Sequence, residues 1–381
     1  MKIRTQKAMN LPFTSIVREL PATVPFIPVE ALERQSGKKI HTRIGANESS
    51  FGVSPLAKKA MEEALQTIHW YGDSECYDLR KELSRVHGVR MDEISAGSGI
   101  DECLGLVVRA FLEPGEVVVT SLGAYPTFNY HVSGFGAKLV TVPYRDYMND
   151  LDALADKARE ADAKMVYLAN PDNPTGTFHS AGALHGFLEK LPEDCLLLLD
   201  EAYIEFAPAH EVLPLNPQNP RVIRTRTFSK VYGMAGARVG YVLAAKETVQ
   251  AIDKIRNHFG VNRVAQAGAV ASLKDPDFVR QVVRDVEEGK KEYQELAQKL
   301  GFSSLPSYTN FVAIDVGSEE KAVAIREALF EKGVFIRTPQ VFPLSRCLRV
   351  TVGTPEERQI FAQALEEVVK EMSITGDTTR R

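Results

Sequence analysis

The chain has 381 residues, 44% hydrophobic and 25% charged, and its 46 basic and 50 acidic side chains give a net charge of −4. That length supports a large core and more than one domain. The near-balanced charge offers no electrostatic footprint for nucleic acid or an anionic membrane. The four leucines at 196–199 form the longest aliphatic run, far short of a membrane span. Residues 1–20 mix basic and polar side chains and lack the apolar core of a secretion signal. Cys76, Cys103, Cys195 and Cys347 are scattered, with no Cys-x-x-Cys pair, and no His-Glu-x-x-His pattern occurs. Neither a disulfide framework nor a metal site is expected, and the expected setting is the reducing cytoplasm.

In chain order, a helical pattern at 101–112 precedes strands at 117–120 and 138–142. A helix over 150–160, a strand at 165–169 and a helix over 181–191 follow. Strands then come at 195–200, 222–225 and 240–244. Continuous apolar strands separated by helices predict a mostly parallel sheet covered on both faces. Helical patterns at 246–256 and 277–300 lead to a strand at 311–315, a helix over 319–332 and a strand at 347–351. That second run predicts a smaller α+β domain. The expected division is an N-terminal arm with part of the small domain at 1–45, a large domain at 46–258, the small domain at 259–372 and a frayed tail at 373–381.

Four segments carry chemistry. Gly97, Ser98, Gly99, Ile100 and Asp101 open a helix, where free backbone N–H groups can hold a phosphate. Asn170-Pro171-Asp172-Asn173-Pro174-Thr175-Gly176 reads as a turn after a strand, and Asn173 in it can donate a hydrogen bond. Asp200-Glu201-Ala202-Tyr203 follows the four leucines, at the carboxyl end of a buried strand, where ligands of open α/β sheets sit. An aspartate there also serves as a helix cap. Arg226-Thr227-Phe228-Ser229-Lys230 leads into a glycine-rich stretch that ends at Arg238. A lone lysine is usually solvated, but one held among apolar and hydroxyl neighbours can act as a nucleophile. Thr227, Ser229 and Arg238 can hold a phosphate. Further on, Arg349 sits inside an apolar strand, costly without a partner, and Arg337 has the same ambiguity between an internal ion pair and an anionic ligand.

In order and spacing these segments resemble fold-type I pyridoxal-phosphate enzymes, most closely the histidinol-phosphate aminotransferase-like branch, over roughly residues 45–367. The resemblance implies a large domain with a mostly parallel seven-stranded sheet sandwiched by helices, plus a smaller α+β domain. It implies pyridoxal 5'-phosphate as cofactor, with Lys230 as the Schiff-base lysine and Asp200 as partner of the pyridine nitrogen. Tyr203 and Asn173 match the partners of the ring oxygen, and Phe128 the stacking aromatic. Gly99, Ile100, Asp101, Thr227, Ser229 and Arg238 match the phosphate cradle. Tyr71 looks like the tyrosine that reaches the phosphate from a neighbouring subunit, which implies a homodimer with shared active sites. Asn47, Arg337 and Arg349 fall near the substrate.

The family's Asn-Glu-Asn-Pro-Phe-Gly is here Asn47-Glu48-Ser49-Ser50-Phe51-Gly52, and its Tyr-Pro-Asp is Tyr71-Gly72-Asp73. Where related enzymes carry a Pro-Tyr that contacts substrate phosphate, this chain has Pro25-Phe26, and phenylalanine has no hydroxyl to donate. The resemblance thus implies an aminotransferase of amino-acid biosynthesis, working by a ping-pong route, and leaves the amine open. A decarboxylase or lyase of the phosphothreonine-decarboxylase type would share the cofactor motifs. A ligand-sensing regulator with an aminotransferase-like domain would need an added DNA-binding segment, and the stretch before Gly45 has no basic helix-turn-helix pattern.

Overall fold

Strands that are apolar on both faces require helices on both faces. The computed structural model describes residues 11–21 and 27–378, so Phe26 lies outside the described residues. In chain order the strands are β1 (Thr42–Arg43), β2 (Ile94–Gly97), β3 (Val117–Ser121), β4 (Lys138–Val142), β5 (Met165–Ala169) and β6 (Leu196–Asp200). They continue as β7 (Val222–Thr227), β8 (Gly240–Leu243), β9 (Ser303–Ser304), β10 (Phe311–Asp315), β11 (Val334–Phe335) and β12 (Cys347–Thr351).

Seven of them form one sheet in the order β2-β8-β7-β6-β5-β3-β4. Only β8 runs against its neighbours. Alternation along each strand divides the core between the two faces. Val166, Leu168, Leu197 and Leu199 pack with Leu154, Leu184 and Phe187 from helices Leu151–Glu160 and Ala181–Lys190. Met165, Tyr167, Ala169 and Leu198 join the larger cluster with Leu104, Val107 and Val108 of helix Ile100–Phe111. Asp150 and Ser180 cap the first two helices by accepting from Ala153 N and Ala183 N.

Register puts the functional segments in one row. Gly97 pairs with Gly240, and Gly240 with Thr227. Asp200 lies between Ala169 and Thr225. Glycine at 97 and 240 lets the start of helix Ile100–Phe111 sit against the sheet edge: a Cβ at Gly240 would lie 2.7 Å from Ile100 N.

Beyond the large sheet, β12-β10-β9 form an antiparallel sheet and β1 pairs with β11. Helix Pro276–Lys299 packs on β9 and β10. One contact crosses the division expected at residue 258. Helix Arg263–Leu273 packs on helices Pro55–Leu65 and Tyr77–His87 of the large unit. Small residues allow that approach, since a Cβ at Gly268 would press on Met61 and Met234. The tail expected at 373–381 is also not separate: the last helix, Pro355–Thr378, runs through most of it. Among the described residues no helix is long and apolar enough to cross a membrane.

Three residues after Lys230, the chain turns through Gly233 at φ +70°, and a Cβ there would overlap the Gly52 carbonyl. Both partners are backbone, so neither can swing away. Gly233→Ala is expected to destabilise the protein by at least about 2 kcal/mol in urea denaturation. An unchanged midpoint would show that this contact does not hold the two segments together.

Candidate active site

At the carboxyl ends of β5, β6 and β7 lies a cavity of about 790 Å³, closed on its far side by residues 337–341 and Arg349. Asp200 reaches it from the end of β6 and is only 4% exposed. Tyr167 Oη donates to Asp200 Oδ2 at 2.7 Å, and Ala202 N to Oδ1 at 3.0 Å. Burial pushes the Asp200 carboxyl up to about 6, against the pull of those two donors. Burial, then Asp200, raises the Tyr167 phenol well above its ordinary value, so it remains a donor.

Phe128, expected as the cofactor's stacking ring, is fully buried and does not line the cavity. It stacks on Tyr167, with centroids 4.0 Å apart and planes 12° apart. Helix Pro126–Gly134 turns positions 128 and 132 inward together, and both are buried. The aromatic presented to the cavity from this segment is Tyr125, whose Oη donates to Asp101 Oδ1 at 2.9 Å.

Lys230 lines the same cavity. Its Nζ donates to Asn47 O at 3.0 Å and stands 5.3 Å from the centre of the Tyr203 ring. Asn47 is buried with φ +56°, and its Nδ2 donates to Tyr203 Oη at 3.0 Å. Thr351 Oγ1 accepts from Asn47 N and donates to Asn47 Oδ1. Asn310 Nδ2 adds a bond to Asn47 O at 3.3 Å.

The start of helix Ile100–Phe111 forms a cradle with Arg238, Thr227 and Ser229. Gly99 has φ +83°, and a Cβ there would run into the Arg238 guanidinium. Arg238, itself at φ +59°, donates to Ala235 O at 3.0 Å and approaches Asp101 at 3.4 Å. Thr227 Oγ1 donates to Ser229 Oγ and accepts from Ser229 N. A cradle closed to any side chain, ringed by hydroxyls and a guanidinium at a helix N-terminus, fits a phosphate. A buried carboxylate at the other end of the same cavity fits a cationic ring nitrogen.

Arg349 and Arg337 form the remaining wall. Their backbones bridge, with Arg349 N donating to Arg337 O at 2.7 Å. Arg349 donates to Asn173 Oδ1 at 2.8 Å and to Gly45 O at 3.1 Å, while its buried Nε has no partner. Burial, reinforced by Arg337, lowers the Arg349 pKa, opposed by Tyr203. Among the described residues no carboxylate pairs with Arg349. Arg337 donates to Ile27 O at 3.2 Å.

Tyr71 is not part of this grouping. It is 77% exposed, beside Phe259 at 4.7 Å, and does not line the cavity. Tyr125, Tyr167, Asn310 and Thr351 were not singled out for the site. Tyr167 carried a signal, since it points to the same side of β5 as Ala169, beside Asp200. Asn310 and Thr351 meet Asn47 across some 260–300 residues of chain, which no local pattern encodes.

An amine, a buried carboxylate and a phosphate cradle in one cavity, at the carboxyl edge of a mostly parallel α/β sheet, define a cofactor-dependent enzyme. The model of the family "Aminotransferase class I and II" matches residues 39–365, and the chain belongs to that family. It is a pyridoxal-phosphate-dependent aminotransferase of the fold-type I class. It is 36% identical over 359 residues to histidinol-phosphate aminotransferase 2 of Carboxydothermus hydrogenoformans, covering 93% of this chain and 98% of the relative. The crystal structure of histidinol-phosphate aminotransferase from Sinorhizobium meliloti, in complex with pyridoxal-5'-phosphate, superposes with a TM-score of 0.92. Identity is 46%, and the match covers 95% of this chain and 98% of that one. L-threonine-O-3-phosphate decarboxylase from Porphyromonas gingivalis shares the fold, at a TM-score of 0.74 and 20% identity, covering 86% of this chain and 99% of that one.

The buried carboxylate has a stability signature. Asp200's folded value of about 6 exceeds its ordinary 3.8, so the cofactor-free fold holds this proton more tightly than the unfolded chain does. Its contribution to stability is therefore lost as pH rises from about 4 through about 6. Cofactor-free Asp200→Asn is expected to be about 2–3 kcal/mol more stable than the parent at pH 8, with the gap closing near pH 4. Urea denaturation at the two pH values measures it, and equal stabilities at pH 8 would show that Asp200 carries no burial penalty.

Proposed function

We propose that the chain transfers an amino group from a donor carrying a phosphate or carboxylate to a 2-oxo acid. The observation that carries this reading is the pair of bridged arginines, Arg349 and Arg337, lining the cavity that also contains Lys230. Histidinol phosphate is the first donor to test, because it gives the aminotransferases of Carboxydothermus hydrogenoformans and Sinorhizobium meliloti their names.

Bound pyridoxal phosphate supplies the electron sink for the bond broken at the amine-bearing carbon. Lys230 holds the cofactor through its Nζ, and Gly99, Ile100, Asp101, Thr227, Ser229 and Arg238 hold its phosphate. Asp200 keeps the ring nitrogen protonated, and the cation in turn offsets the cost of the buried carboxylate. Tyr203 and Asn173 would be the partners of its ring oxygen, and Tyr125 and Tyr167 supply aromatic wall. With the cofactor bound, Lys230 Nζ would be the base placed to take and return the proton at the amine-bearing carbon. Arg349 orients the anionic end of donor and acceptor in turn, which suits a ping-pong cycle.

The exposed Trp70 and Tyr71 support a homodimer in which Tyr71 reaches a neighbouring site. The four cysteines, all buried and free, suit a cytoplasmic setting.

Half-reactions with a panel of amines test the assignment. Histidinol phosphate is expected to convert the bound cofactor to its aminated form, seen as a change in the visible spectrum. Arg349→Ala is expected to lower kcat/KM for that donor by roughly 10- to 100-fold. Amination by uncharged amines alone, or an unaffected variant, would overturn the anionic-donor reading.

A further inference from the structure

A phenol has one proton, so a tyrosine that must donate to a bound ligand cannot also donate to the protein. Tyr203 faces this choice. Asn47 is its hydrogen-bonding neighbour at 3.0 Å, and an amide can present either its oxygen or its nitrogen. With the oxygen toward Tyr203, the phenol proton would be consumed by Asn47. With the nitrogen there, the phenol accepts and its proton is free for the cavity.

Thr351 settles which way the amide lies. Its Oγ1 is 3.0 Å from Asn47 N, a group that can only donate, so the hydroxyl accepts there. The same Oγ1 is 3.1 Å from Asn47 Oδ1 and gives its proton to that oxygen. A flipped amide would place two donors of Asn47 on one hydroxyl and leave the threonine proton without an acceptor. All three residues are buried, where such a loss costs most. The left-handed backbone of Asn47 brings its N–H and its side chain to the same hydroxyl, and β12 holds Thr351 rigidly opposite Phe311.

We infer that Thr351 is a positioning residue of the active site: it fixes the Asn47 amide so that the Tyr203 proton is donated to the group bound in the cavity. The inference rests on the reading that pyridoxal phosphate sits on Lys230 with its ring oxygen toward Tyr203. A donor at that oxygen favours its ionised form. The charged and titratable groups facing Tyr203 are Lys230, Arg349, Tyr125 and, across the cavity, Asp200. None is changed by substitution at Thr351.

The test is the visible absorbance of the cofactor-loaded enzyme as a function of pH. Thr351→Val keeps the shape and removes the hydroxyl, and its titration midpoint is expected to rise by about one pH unit. Thr351→Ser restores the hydroxyl and is expected to restore the parent midpoint. Adding Asn47→Ala to Thr351→Val is expected to bring the midpoint back toward the parent's, because no amide oxygen is then left to take the Tyr203 proton. A Thr351→Val midpoint equal to the parent's, or a Thr351→Ser shift as large as the valine's, would overturn the inference. If Thr351→Val fails to fold, the decision passes to Thr351→Ala, which also removes the hydroxyl: a raised midpoint supports the relay and an unmoved one overturns it. Failure of the underlying reading looks different, since the parent enzyme would then have no lysine-bound chromophore to titrate.

Discussion

A carboxylate sealed behind a strand of leucines is the constraint around which this molecule is arranged. Asp200 is nearly inaccessible, and burial raises its pKa despite two hydrogen-bond donors. A fold that only needed stability would place an apolar residue or a neutral cap there. In the proposed site a ring cation against the carboxylate would remove the penalty, and the cradle at Gly99 would receive the ring's phosphate. The edge of one sheet brings Asp200 and the Gly99 cradle into one row, through the register that aligns β2, β8, β7, β6 and β5.

The other side of the cavity comes from a separate sheet. Thr351 and Arg349 lie on β12, two residues apart and so on the same face. One reaches Asn47 and the other Asn173, tying the small sheet to two loops that line the cofactor site. Relative movement of the two units would therefore alter the Asn47 amide and the Arg349 guanidinium together. In the proposed site this would link the position of the substrate's anion to the donor at the ring oxygen.

Much of this was legible in the sequence for a simple reason: buried parallel strands advertise themselves. The runs at 117–119, 165–169 and 196–199 are apolar on both faces, and Asp200 stands out because it ends one of them. The misreadings have equally physical causes. Ile94–Gly97 is a strand of four residues containing Ser95 and Gly97, too short and too small to show a pattern. Helix Arg263–Leu273 is rich in alanine, with a glycine and a serine where it packs closely on a neighbour, and so it shows little apolar periodicity. Phe128 and Tyr125 share a turn of sequence, and the start of the helix at Pro126 turns Tyr125 to the cavity and Phe128 onto Tyr167. The bonds converging on Asn47 join segments hundreds of residues apart, and nothing in local periodicity encodes them.

The central claim is that Lys230 bears the cofactor. Borohydride reduction of the pyridoxal-phosphate-loaded protein, followed by peptide mapping, tests it directly. The account predicts a single phosphopyridoxyl label on the peptide that carries Lys230, absent from Lys230→Ala. A label on any other lysine, with Lys230 unmodified, would contradict it.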